Sequence, residues 1–301
     1  MTSNLASSQI DTSVGLRQAD LMLRNAGAAK TLGVADLEWA LSVCSQDPVM
    51  HVFVAARLLE GGLGDGRAAA FGHGRGKATS MCWSSANVVP VGGDKRAVAA
   101  LAERVTKRRR FASSVFGPAE QVHQMWEALE DSWGPARAIR REQPVLTMRT
   151  LPSTNGTRLD PSIRLARPDE LDIVAPAAEA MFTEEIGYPP YRGSGSAYRS
   201  SVARLLQRQH TLVRVEEGQV VFKADVGSVA LGVGQIQGVW VHPKRRGEGI
   251  AAPAMAAVIE HALRHIAPTV TLYVNDYNAP ALATYQRVGM KQTGMFATVL
   301  L

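Results

Sequence analysis

The segment Gln237-Gly-Val-Trp-Val-His-Pro-Lys-Arg-Arg-Gly-Glu-Gly-Ile-Ala-Ala252 constrains the fold most, because it joins an alternating apolar strand to a basic, glycine-bearing turn that opens a helix. Gly247 and Gly249 let the backbone curl tightly, and the first amides of a new helix have no carbonyl partners of their own. With the positive end of the helix dipole and Lys244, Arg245 and Arg246 beside them, those amides suit a diphosphate. Pro253 has no amide to lose, so it fits the first turn and sets the helix start near Gly249 or Ile250. Met255, Val258, Ile259, Ala262 and Ile266 share the face that packs on a sheet.

A dinucleotide-binding fingerprint is the rival reading, since Gly247, Gly249 and Ala252 satisfy G-x-G-x-x-G/A and Asp276 follows at a plausible distance. In that fold the first glycine follows its strand directly and several further strand–helix units come after it. Here residues 242–246 intervene and only about 50 residues remain, which rejects the fingerprint.

The segment resembles motif A of the GNAT superfamily of N-acetyltransferases, whose signature Gln/Arg-x-x-Gly-x-Gly/Ala is met by Arg246, Gly249 and Ala251. Downstream, Leu272-Tyr-Val-Asn-Asp-Tyr-Asn-Ala-Pro-Ala-Leu-Ala-Thr-Tyr-Gln-Arg-Val-Gly-Met290 is similar to motif B of that family: a strand, Asn278, an alanine-rich helix, Tyr285 and a terminal Gly289. The resemblance implies acetyl-CoA as cofactor, with backbone groups of Val239 and Val241 along the pantetheine. Arg246, Gly247, Glu248, Gly249, Ile250, Ala251 and Ala252 would surround the diphosphate, and Asn278 would add a contact. It also implies direct acetyl transfer to a primary amine in a ternary complex, with a backbone amide near Val239 or Val241 on the thioester carbonyl. Tyr285 would protonate the departing thiolate. For the base, the resemblance points to Glu184 and Glu185, in a loop that the family uses to line the acceptor site.

Each residue also has a plainer role. Asn278 suits an N-cap and Gly289 a helix exit, Tyr285 at helical spacing can be core, and adjacent carboxylates are commonly just solvated. His242 reads as an exposed loop residue. The alternative to an enzyme is a non-catalytic acyl-CoA-binding regulatory module, which would use the same turn without a productive acceptor site.

A chain of 301 residues with 46% hydrophobic content can bury a sizeable core, and at roughly 100–200 residues per domain two domains are expected. The reading is a flexible arm over 1–32, a degenerate GNAT-like or accessory domain over 33–155, and a GNAT acetyltransferase domain over 156–301. The fold class is α/β (α+β), each domain a mixed, mostly antiparallel sheet flanked by helices. In the first half, the order strand, helix, strand, helix, strand repeats that of the second. Its phosphate turn has decayed to Gly92-Gly93-Asp94-Lys95, where Asp94 would face a diphosphate, so efficient CoA binding is not expected there. Residues 71–79 are glycine-rich but miss the P-loop spacing at both ends and read as a hairpin connection.

No apolar run approaches the roughly 20 residues that span a bilayer, and the first 30 residues lack a signal peptide's apolar centre, so a cytoplasmic location is expected. Cys44 and Cys82, the only two cysteines, read as buried structural thiols, with no metal site. The net charge of +6 is modest. Its densest run, Lys-Arg-Arg-Arg at 107–110, falls at a helix end where cations offset the dipole, which disfavours a nucleic-acid role. The expected partner is a small-molecule or peptide amine acceptor, without a membrane, and the protein is expected to be a monomer or homodimer. Leu151-Pro-Ser-Thr-Asn-Gly-Thr-Arg-Leu-Asp-Pro161 collects turn formers and marks the boundary.

Overall fold

The computed structural model describes residues 29–63, 69–73 and 80–301. The expected arm lies mostly outside the described residues, as does the glycine-rich connection after His73. At their margins, β1 (Lys30–Thr31) pairs antiparallel with β2 (Ala69–His73), and β2 pairs antiparallel with β3 (Ser80–Ser84).

The same run of elements occurs twice. The first half continues from β1 through α1 (Leu37–Cys44) and α2 (Pro48–Leu59) to β2 and β3. It then passes through β4 (Asn87–Val91), α3 (Lys95–Val105), β5 (Ser114–Pro118), α4 (Ala119–Trp133) and β6 (Ala138–Met148). The second half runs β7 (Arg164–Leu165), α5 (Leu171–Ile186), α6 (Ser196–Gln207), β8 (Thr211–Glu216), β9 (Gln219–Ala230) and β10 (Val233–Val241). It ends with α7 (Ala251–His265), β11 (Thr269–Tyr273), α8 (Ala279–Val288) and β12 (Lys291–Leu300).

Among the described residues, twelve strands lie in one sheet, in the order β1-β2-β3-β4-β5-β12-β6-β11-β10-β9-β8-β7. The pairs β4–β5 and β10–β11 are parallel and the others antiparallel. Read from its centre the order is the same both ways, an internal two-fold in which each half gives its last strand to the other. β12 fills the slot between β5 and β6, while β6 fills the slot between β12 and β11. The tail is therefore a strand at the centre of the whole sheet, buried from Phe296 to Leu300. Periodicity carries no sign of this, because a strand covered on both faces asks only for apolar neighbours.

Polar and aromatic side chains stitch the centre. Buried Gln143 of β6 donates from Nε2 to Asn275 Oδ1 at 2.8 Å and accepts from Thr298 Oγ1 of β12 at 2.6 Å. Phe116, Tyr273 and Phe296, from β5, β11 and β12, pack with ring centroids 5.2–6.3 Å apart, and Phe53 of α2 joins them at 5.0 Å. These contacts tie the halves together across the middle of the sheet.

Leu231 and Gly232 form the two-residue turn between β9 and β10, and both have positive φ, the twist that closes a tight hairpin. Two local differences from the sequence reading have physical causes. The basic run leaves the α-helix at Val105 and forms a 3-10 turn, Thr106–Phe111. There Arg108 and Arg110 stack on Phe111 and Arg109 on Trp133. Helix α5 continues to Ile186 and stops at Gly187 with φ +87°, so Glu184 and Glu185 stand on its last turn and not in a loop.

Candidate functional site

Strands β10 and β11 pair only over Val233–Gln235 and Thr269–Thr271. Beyond that point β11 stays with β6, where Val274 N–H bonds Pro144 O and Asp276 N–H bonds Glu142 O. β10 bends away, its register with β9 slipping between Gln237 and Trp240 around Gly238, whose φ is +60°. Such a bulge sharpens twist and frees backbone groups from the ladder. The result is a V open at the carboxyl ends of two parallel strands, edged by β10 at Val239 and Val241, and an unpaired strand edge can take an extended ligand as an added strand.

At the mouth of the V lies the glycine turn. Gly247 and Gly249 have φ of +84° and +78°, and residues 246–249 are exposed. α7 starts at Ala251, with no side chain capping its first amides. Asn278 has the N-cap role on α8, accepting from Ala281 N–H at 3.2 Å. The equivalent place in the first half is closed. Asp94 caps α3 by accepting from Ala97 N–H at 2.9 Å, which puts a carboxylate where a phosphate would sit. Gly117 comes so close to β4 that a Cβ there would stand 3.3 Å from Val89 Cγ1, and Pro90 has no N–H to offer.

The arginines of the turn are held by carboxylates. Arg245 bonds Glu248 at 2.8 Å and Glu216 at 2.6 Å. Arg246 donates from Nε to Val241 O at 3.1 Å and, as a fork, from Nη1 and Nη2 to Glu184 at 2.6 and 2.7 Å. That fork holds the Glu184 carboxyl below its ordinary range. The pair is complete above the ordinary carboxylate pKa and is lost as pH falls through the lowered one. A carboxylate so stabilised is a poor acceptor for an ammonium proton, and Glu184 links the end of α5 to the turn.

Glu185 is placed differently. Its carboxylate lies 3.5 Å from Arg140 of β6, whose Nη2 also donates to Glu185 O at 2.6 Å. Tyr285, on α8, is buried; burial first, and then the charge of Glu185, push its phenol well above its usual range. Tyr273 is raised for the same two reasons. The phenol of Tyr285 therefore stays protonated at any physiological pH. Glu185 and Tyr285 thus share one electrostatic neighbourhood, whereas Glu184 belongs to the turn.

Sequence reasoning missed two features. Arg140 comes from the first half and reaches the site only through the strand exchange. Under the bulge, Lys223 and Asp225 form a fully buried ion pair on one face of β9. Thr211 Oγ1 donates to Asp225 at 2.7 Å and Lys223 Nζ lies 3.5 Å from Gly238 O. Two charges two residues apart in the apolar run Val-Val-Phe-Lys-Ala-Asp-Val were the available signal. Lys223→Ala leaves Asp225 buried without a counter-ion and is expected to cost roughly 3–5 kcal/mol, read as a lowered denaturation midpoint. Lys223→Met combined with Asp225→Leu is expected to recover most of it. The two thiols are buried and unpaired; burial pushes Cys44 up to about 12 and Cys82 further. Among the described residues no group of acidic, His or Cys side chains is placed to hold a metal, and no helix is long and apolar enough to cross a membrane.

Residues 179–290 match the model of the Acetyltransferase (GNAT) family, and residues 68–174 match a Domain of unknown function (DUF4081). No curated protein matches. Among solved structures, a GNAT-family acetyltransferase from Colwellia psychrerythraea superposes with a TM-score of 0.56 at 14% identity, over 91% of this chain and 99% of its own. A GCN5-related N-acetyltransferase from Sphaerobacter thermophilus gives 0.59 at 19%, over 90% and 94%. A tandem GNAT protein from the clavulanic acid biosynthesis pathway gives 0.50 at 14%, over 91% and 98%. These likenesses carry the fold, and the family match falls on the half that holds the open V and the uncapped glycine turn. Over residues 179–290 this chain is thus similar in sequence to the GNAT acetyltransferase family, and over about nine-tenths of its length it shares the fold of GNAT proteins, a tandem member included.

Proposed function

We propose that the protein is an N-acetyltransferase that uses acetyl-CoA to acetylate a primary amine by direct transfer, with its chemistry in the second half. The observation that carries this is the contrast between the two copies of the turn: α7 begins with free amides beside Arg246, and α3 begins with amides already taken by Asp94. The Arg246 N–H already donates to Pro243 O at 3.3 Å, so it is the amides from Gly247 to Ala251 that suit a diphosphate, with Gly247, Glu248 and Gly249 shaping the turn, Ile250 anchoring it in the core and Ala252 in the first helical turn. The open edge at Val239 and Val241 suits the amides of a pantetheine arm, and Asn278 flanks it. When bound, acetyl-CoA supplies the acetyl group as a thioester.

The chain's own residues then divide the proton work. Glu185 accepts the proton of the incoming ammonium, directly or through one water, and Tyr285 Oη donates to the departing sulfur. Glu184 orients Arg246. The first half serves as scaffold and as a wall of the acceptor site, with the boundary near residue 155. Two free buried thiols fit a reducing, cytoplasmic setting.

Tyr285→Phe is expected to lower kcat roughly 100-fold while leaving acetyl-CoA affinity unchanged, and Glu185→Gln to do the same. Steady-state rates with a responsive amine, beside calorimetric acetyl-CoA binding, check both. Unchanged turnover in both variants would sink the assignment of these roles.

A further inference from the structure

Beside Arg140, the first residues of β6 and the last of α5 border an open cavity of about 450 Å³. Its lining is Arg137, Ala138, Ile139 and Arg140 from the start of β6, Ile186 and Gly187 from the end of α5, Tyr277 just before α8, and Leu300 of β12. No acidic side chain is among them. Arg140 is the residue that meets Glu185, so the cavity adjoins the carboxylate that the proposed reaction uses.

The two guanidiniums are not equivalent. Arg140 is largely buried and shared with Glu185 at 3.5 Å. Arg137 lies over the Tyr188 ring, 4.3 Å from its centroid, and has no carboxylate partner among the described residues. Stacking on an aromatic face pre-orders a guanidinium while leaving its planar donors free for an oxyanion. The cavity therefore carries close to one uncompensated positive charge, set among the apolar side chains of Ala138, Ile139, Ile186 and Leu300.

We infer that the acceptor is an amine that also bears a carboxylate, an amino acid or short peptide with an apolar side chain, and that Arg137 with Arg140 holds that carboxylate. This rests on the acetyltransferase reading. One net charge matches a single carboxylate better than a phosphate dianion, and the apolar wall accommodates a hydrocarbon side chain. The carboxylate anchor lies on residues that the first half contributes, so that half selects the acceptor while the second half supplies the cofactor turn.

The test is calorimetric binding of N-acetyl-L-leucine and its neutral amide to the intact protein, in parallel with acetyl-CoA. The acid should bind at least roughly tenfold more tightly than the amide, since a charge-assisted fork is worth more than one such factor. Arg137→Gln should erase that preference, and Arg140→Lys, which keeps the charge and loses the fork, should weaken it, both with acetyl-CoA affinity intact. Equal binding of acid and amide, or no binding of either, beside normal acetyl-CoA binding overturns the inference and leaves the acetyltransferase reading standing. Tighter binding of O-phosphoethanolamine than of the acid overturns the choice of carboxylate. Absence of acetyl-CoA binding itself defeats the underlying reading.

Discussion

Gly249→Glu is expected to remove acetyl-CoA binding, lowering affinity at least roughly 100-fold, about 2.7 kcal/mol, in a calorimetric titration. Two effects add. Residue 249 has φ +78°, a conformation that costs a non-glycine residue about 1–2 kcal/mol. The new carboxylate would also compete with a diphosphate for the free amides of α7. Gly249→Ala separates them, because no heavy atom lies within 4 Å of the position its Cβ would take. Only the backbone term remains there, and a loss of roughly 5- to 30-fold is expected if the strain falls on the bound form. An unchanged affinity in the glutamate variant, with the thermal midpoint preserved, would show that the turn does not hold the cofactor.

The second large effect concerns the strand exchange. Residues 156–301 produced alone are expected not to fold, since β11 and β12 both lose β6 and β12 also loses β5. Domains keep only about 5–15 kcal/mol of net stability, and two vacated central slots expose unpaired ladder edges and the aromatic cluster around Tyr273 and Phe296. Circular dichroism and size-exclusion chromatography should report an aggregated or unfolded fragment, and co-production of residues 1–155 should restore a folded complex. A monomeric, cooperatively melting 156–301 fragment would contradict this account.

The glycine-turn side of the candidate site was legible in the sequence because it is local. Arg246, Gly247 and Gly249 lie within one turn, and the helix start near Ile250 follows from Pro253 and from backbone groups that need partners. The decay of the first turn was legible at Asp94 for the same reason: a capping carboxylate acts on an amide three residues away. The cavity between β6, α5 and β12 was not legible, because it is assembled by the contact of Arg140 with Glu185, 45 residues apart, and by the pairing of β6 with β12, more than a hundred apart. Nothing around Arg140 announces that it will meet Glu185. The reading of residues 184 and 185 as equivalent loop carboxylates failed to separate them because their difference is rotational: on the last turn of a helix, adjacent side chains point about 100° apart. One then reaches Arg246 and the other Arg140.

The place of β12 also bears on how the chain acquires its structure. It is synthesised after every other strand of the sheet, yet it occupies the centre, between β5 and β6. While the ribosome is still working, β5 and β6 have no common neighbour, and the first half cannot complete its core as an early unit, the usual order for multidomain chains. The nascent chain must carry open strand edges until its last strand is free, which makes folding a late, whole-chain event of high contact order and slow rate. Holdase chaperones and low temperature should therefore raise the yield of this protein more than they would for two halves joined by a plain linker.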